Sequence, residues 1–155
     1  MITSKNYNIK ITKIAVIHIN EVIAGILIAI LYGVGTFFAK IVSERDPFIQ
    51  WIIVNIVGIV LSIFIVIKDP QRLWQIQGKI LIYGVISAVM VVLGSLLLYY
   101  ALNKGRASIV VPLSSIGPAI TTALAVLFLG EHLSINQIIG IVLVILGIIL
   151  ISINS

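Results

Sequence analysis

Five apolar stretches, at roughly 22–42, 47–67, 80–102, 107–129 and 135–152, alternate with short polar loops along the 155 residues. No Asp, Glu, Lys, Arg or His interrupts 80–103 or 107–130. None follows His132, and none lies between Asp46 and Lys68. About 20 residues of helix rise about 30 Å, the thickness of a bilayer's hydrocarbon core. A charge at the centre of such a span costs about 2.5–3.5 kcal/mol, and a helix on a soluble core needs a polar face that these stretches lack. Isoleucine and valine also suit strands, but a membrane strand is about ten residues of alternating polarity. These runs are continuous and twice that length. The pattern therefore predicts an all-α membrane protein of five transmembrane helices. An odd number of spans puts the two chain ends on opposite sides of the bilayer. A second copy in reverse orientation then completes a two-fold inverted structure, so the chain reads as one half of an inverted-repeat transporter.

Composition agrees: 61% of residues are hydrophobic and 10% charged, with a mean hydropathy of +1.26. A soluble domain is about a quarter charged. The net charge of +5 does not point to nucleic acid, because no dense Lys/Arg cluster is interleaved with aromatics. The absence of cysteine removes disulfides, thiol chemistry and Cys-based metal sites. His18 and His132 stand alone, without partners at metal-ligand spacing, so no metal site is expected. No nucleophile motif, phosphate loop or pair of carboxylates lies within a span. The expectation is neither an enzyme nor a cofactor protein.

Residues 1–21 differ from the rest. Lys5, Lys10 and Lys13 punctuate a mixed polar and isoleucine segment, which reads as an interfacial segment, a tail or an extension of the first helix. A signal peptide fits poorly, since Glu21 interrupts the apolar run and no small-x-small cleavage site stands out. Residues 22–152 form one five-helix domain without a linker or internal repeat. Pro47 suits the first turn of span two. Trp51 and Trp74, and the pair Tyr99-Tyr100, suit the headgroup level. Gly105 offers the backbone freedom for a tight reversal. Ser134-Ile135-Asn136-Gln137 spells a capping box for span five.

Lys and Arg set orientation. With the N-terminus on side one, that side carries Lys5, Lys10, Lys13, Lys68, Arg72 and Lys79. Side two carries Lys40, Arg45, Lys104 and Arg106. This split is too even to commit the chain to one orientation. It permits insertion both ways, alongside a fixed topology with the N-terminus inside.

Span four is chemically the richest. Pro112 and Pro118 each remove a helical N–H and clash with the carbonyl four residues back, so the carbonyls of Ser108 and Ser114 are freed. In lipid such groups need partners, and the hydroxyls of Ser114, Ser115, Thr121 and Thr122 are at hand. A kinked helix near mid-membrane suits a transporter site and equally suits packing alone. Gly25, Ala29 and Gly33 in span one, Gly84 and Ala88 in span three, and Gly140 and Gly147 in span five allow close helix approach. Asn55 suits an interhelical hydrogen bond. Lys40, near a helix end, reads as snorkelling, or as a gate or anion site. Glu21 reads as an interfacial carboxylate favoured by the helix dipole, or as a coupling carboxylate if the first helix starts near Ile14.

The run A-L-x-x-G-x-A-S-x-V-x-P-L from Ala101 to Leu113, the later Pro118, the L-F-L-G-E run ending at Glu131 and a glycine-containing last helix follow one another in order. With the segment from Leu31 to Lys40, they resemble an EamA-type domain of the drug/metabolite transporter superfamily over 22–152. The resemblance is to its short five-helix branch with a single unit. It implies a multi-pass protein of the cell's plasma membrane that moves a small-molecule substrate. It also implies a partner unit, most simply a second copy in an antiparallel homodimer working by alternating access. A cavity walled by spans one, three and four is implied, nominating Thr36, Ser87, Ser114, Ser115, Pro118 and Thr122. Small multidrug resistance proteins are relatives, but their embedded carboxylate on the first helix has no match, since Glu21 lies at the span's edge. A non-transporting subunit packed on another protein and a flippase of lipid-linked substrate are the rival readings.

Overall fold

Three of the helices begin where the sequence supplies a side-chain cap. Asn20 accepts the amide of Val22 on its side-chain oxygen at 3.1 Å and starts α1, Glu21–Ser43. Asp46 accepts the amides of Phe48 at 2.7 Å and Ile49 at 3.3 Å. With Pro47 in the first turn it starts α2, Pro47–Lys68. A 3₁₀ turn, Pro70–Gln75, follows, pinned by Arg72 on Asp69 at 2.9 Å. Helix α3 spans Gly78–Lys104. Span four is two short helices, α4 at Ala107–Ser114 and α5 at Gly117–Leu124, followed by one π turn at Ala125–Leu129. Gly130, at φ +70, ends that turn in the left-handed region. Helix α6, Ile135–Ile153, closes the chain's described part.

These observations come from a computed structural model that describes residues 20–153. Lys5, Lys10, Lys13, His18, the expected interfacial or tail segment, the signal-peptide question and any extension of the first helix toward Ile14 lie outside the described residues. Within them, five segments are long and apolar enough to cross a membrane, the broken fourth counting as one. The five expected spans are these five, and the fold is all-α.

The chain divides into two units at Val34 and Gly35. Of the first, the described part is the capped opening of α1, with Glu21 in its first turn beside the positive end of the helix dipole. In the second unit, the buried core is small. Apart from Ile148 on α6, it is one cluster of Ala39, Tyr99 and Leu102, with Trp51, Leu98, Ala107, Val110 and Val111 packed against it. It therefore sits at one end of the bundle, where α1 finishes, α2 begins, and α3 turns into α4. In lipid, apolar burial between helices contributes little, so close packing and polar contacts must hold such a junction.

Several local expectations change. Trp51 turns inward and donates its indole N–H to the Val92 carbonyl of α3 at 3.3 Å, instead of lying only in an aromatic belt. Asn55 bonds its own helix, donating to the Trp51 carbonyl at 2.7 Å. Gly105 has an extended φ of −123. Its role here is space, because a Cβ there would press on the Ala101 carbonyl and the Val110 side chain at 3.2 Å. Gly84, Gly94, Gly140 and Gly147 meet no atom within 4 Å of an added Cβ. Within one copy, these glycines bring no helices together.

The capping box of α6 forms as its sequence directs. The Ser134 amide donates to Gln137 Oε1 at 2.8 Å, and the Gln137 amide to Ser134 Oγ at 3.4 Å. Ser134→Ala should cost about 1 kcal/mol, read as a lowered unfolding midpoint of the purified chain.

Candidate functional site: a broken helix and the cavity beside it

The two prolines of span four divide its labour. Pro112 lies within α4, and Pro118 sits in the first turn of α5, where its missing N–H costs little. Between them, Ser115 and Ile116 form the break. The Ser115 amide is shared by the carbonyls of Val111 at 3.2 Å and Pro112 at 3.0 Å, and the Ile116 amide goes to Leu113 at 3.3 Å. The break lies about 12 Å along the span from Ala107, inside the 23-residue span and away from either end.

The hydroxyls do not serve the carbonyls freed by proline. Ser114 and Ser115 both donate to the Val111 carbonyl, at 2.7 and 3.0 Å. Thr121 donates to Gly117 at 3.2 Å and Thr122 to Pro118 at 2.9 Å. A hydroxyl has one proton, so none remains for Ser108 or Ser114. The physical reason is helix geometry: a Ser or Thr oxygen reaches the carbonyl three or four residues back most easily.

Helix α4 packs against α6, and beyond the break a cavity of about 340 Å³ opens beside α6. Ser115, Pro118, Ala119 and Thr122 form one wall. Leu133, on the loop before α6, joins Gln137, Gly140, Ile141 and Val144 of α6 in the other. A second hollow, of about 420 Å³ and almost wholly apolar, lies between α3 and α4 and includes Ser114.

Of the residues nominated from sequence, Ser115, Pro118 and Thr122 thus share one cavity. Ser114 faces the neighbouring hollow. Thr36 and Ser87 line neither, Ser87 being exposed on α3 and Thr36 half-buried on α1. The α6 wall was not anticipated. Its α6 residues, Gln137, Gly140, Ile141 and Val144, recur at spacings of three, one and three, a single helical face, but an apolar helix gives that face no contrast with its others.

Lys40 is placed far from this cavity, at the α1–α3 junction. Its ammonium donates to the carbonyls of Leu102 at 2.7 Å and Gly105 at 3.0 Å, and pairs with Glu44 at 3.1 Å. An ammonium has three protons, and all three are engaged. Asn103 returns the arrangement, donating to the Ser43 carbonyl at 2.7 Å and to that of Glu44 at 3.3 Å. Each helix end thus caps the other's orphan carbonyls. Glu21 stands at the first residue of α1.

Comparison with known proteins agrees with this architecture. The model of the EamA-like transporter family matches residues 19–153. An uncharacterized protein of Methanocaldococcus jannaschii is 64% identical over 134 residues, covering 86% of this chain and 97% of that protein. No solved structure matches. Five membrane-spanning helices in this order, with the family match running through all of them, make the chain a multi-pass membrane protein that belongs to the EamA-like transporter family.

Proposed function

We propose that the chain is a secondary transporter or exporter of a small metabolite across the plasma membrane, working as an antiparallel, dual-topology homodimer by alternating access. The observation that carries this reading is the break at Ser115–Ile116 inside span four, beside a cavity whose wall includes Ser115, Pro118 and Thr122. Irregular backbone at membrane depth is tolerated where it lines a cavity, and transporters place substrates at such breaks. Three observations support a second, inverted copy. The loop charges are nearly balanced between the two sides. The archaeal relative matches along 97% of its length, so it too carries one such unit. The glycines of α3 and α6 meet nothing within one copy.

In this reading, pairing of two copies adds the walls to which Thr36, Ser87 and Ser114 belong. Lys40 acts as a latch at side two, and Glu21 as an interfacial charge. The test is exchange by the purified chain in liposomes loaded with a cell metabolite extract, with the lumen analysed by mass spectrometry. Protein-dependent, saturable loss of particular solutes is expected. Lumen contents identical to those of protein-free vesicles would count against transport.

A further inference from the structure

The cavity beside α6 has a defined hydrogen-bonding character, which bears on its ligand. None of the nine residues lining it is charged, and a buried ion without a partner is costly. Its hydroxyls are committed as donors: the Ser115 proton goes to Val111 and the Thr122 proton to Pro118. Toward the cavity, both therefore offer only acceptor lone pairs. Gln137 is the converse. Its Oε1 is occupied by the Ser134 amide at 2.8 Å and the Ser134 hydroxyl at 3.0 Å. That fixes the amide's orientation and leaves the two protons of Nε2 as donors. The cavity volume of about 340 Å³ falls in the small-ligand range of about 300–1,000 Å³.

We propose that this cavity selects uncharged, hydrogen-bonding solutes. The Gln137 amide donates to a solute carbonyl or ether oxygen, and Ser115 and Thr122 accept from solute hydroxyl or N–H groups. This assignment rests on the transport reading above and names its substrate class. The capping box doubles as the positioning device, because the bonds that start α6 also hold Gln137 donor-outward.

The sequence has no cysteine, so Ala119→Cys places one reporter thiol on the wall. Gly140→Cys is the second reporter, at a position where an added Cβ meets open space. Alkylation by N-ethylmaleimide is followed in the purified full chain. The probes are uridine, myo-inositol and nicotinamide (neutral), succinate (anionic) and agmatine (cationic).

At least one neutral probe should slow alkylation of both reporters, and neither ionic probe should. Gln137→Glu keeps an acceptor for the Ser134 amide but removes both donors. It should retain the unfolding midpoint while weakening neutral-probe protection about tenfold or more. Protection by succinate or agmatine equal to that by the neutral probes overturns the assignment. So does protection that survives Gln137→Glu, or no protection by any neutral probe. The same probes are run in the liposome exchange assay. Exchange without protection removes this site and leaves transport standing; protection without exchange leaves the site and removes transport.

Discussion

Lys40→Met will lower the unfolding midpoint of the purified chain by about 5–10 °C, the largest stability effect expected of any single polar substitution in the described residues. Methionine keeps the apolar stem but deletes three charge-assisted contacts at once: to Leu102, to Gly105 and to Glu44. Leu102 is fully buried, so its carbonyl loses a partner that little water can replace. The side chain of Lys40 is 20% exposed, which leaves the expected cost at about 2–3 kcal/mol. Lys40→Arg should fall between the two. A planar guanidinium keeps the charge but cannot direct donors at three acceptors as a tetrahedral ammonium does. Asn103→Leu removes the reciprocal cap, and its effect should be non-additive with Lys40→Met because both act on one junction. Thermal unfolding of the parent, the three single variants and the Lys40→Met/Asn103→Leu double variant in one detergent checks the set. A midpoint for Lys40→Met within about 1 °C of the parent would show that the junction holds without the clasp.

Gly140→Leu should separate stability from transport more sharply than any other change. Gly140 lies inside α6, on the cavity wall, with no atom within 4 Å of an added Cβ. Leucine is the better helix former by nearly 1 kcal/mol, so the unfolding midpoint should hold or rise. The added side chain fills the space a solute needs. A solute that overlaps it should bind about 1–3 kcal/mol less well, by analogy with overpacking, a loss of about fivefold to 150-fold in exchange. Equal loss of stability and exchange would mean that the residue acts through packing alone.

What the sequence disclosed and what it hid follow from the range of the interactions. The spans and their caps rest on neighbours a few residues apart. Pro47, and Ser134 with Gln137, were therefore legible as helix starts, while the cap supplied by Asp46 came only with the structure. The break in span four was legible from Pro112 and Pro118, although not the hydroxyl partners, because the choice between several nearby carbonyls is geometric. Lys40 could be placed at a helix end, but its acceptors lie 62 and 65 residues away, beyond any periodic signal. The α6 wall was hidden for a different reason. In a helix apolar on every face, the side that meets a cavity differs from the side that meets lipid by one glutamine and one glycine.

The antiparallel homodimer requires that this EamA-like unit pair with an inverted copy of itself. The most direct measurement is labelling of Gln71→Cys, exposed on the 3₁₀ turn between α2 and α3 and the sole thiol in the chain. A membrane-impermeant maleimide is applied to intact cells, then again after the membrane is opened. Two comparable populations are expected, one labelled from outside and one reached only after opening. Labelling of a single population, all from one side, would contradict the antiparallel homodimer.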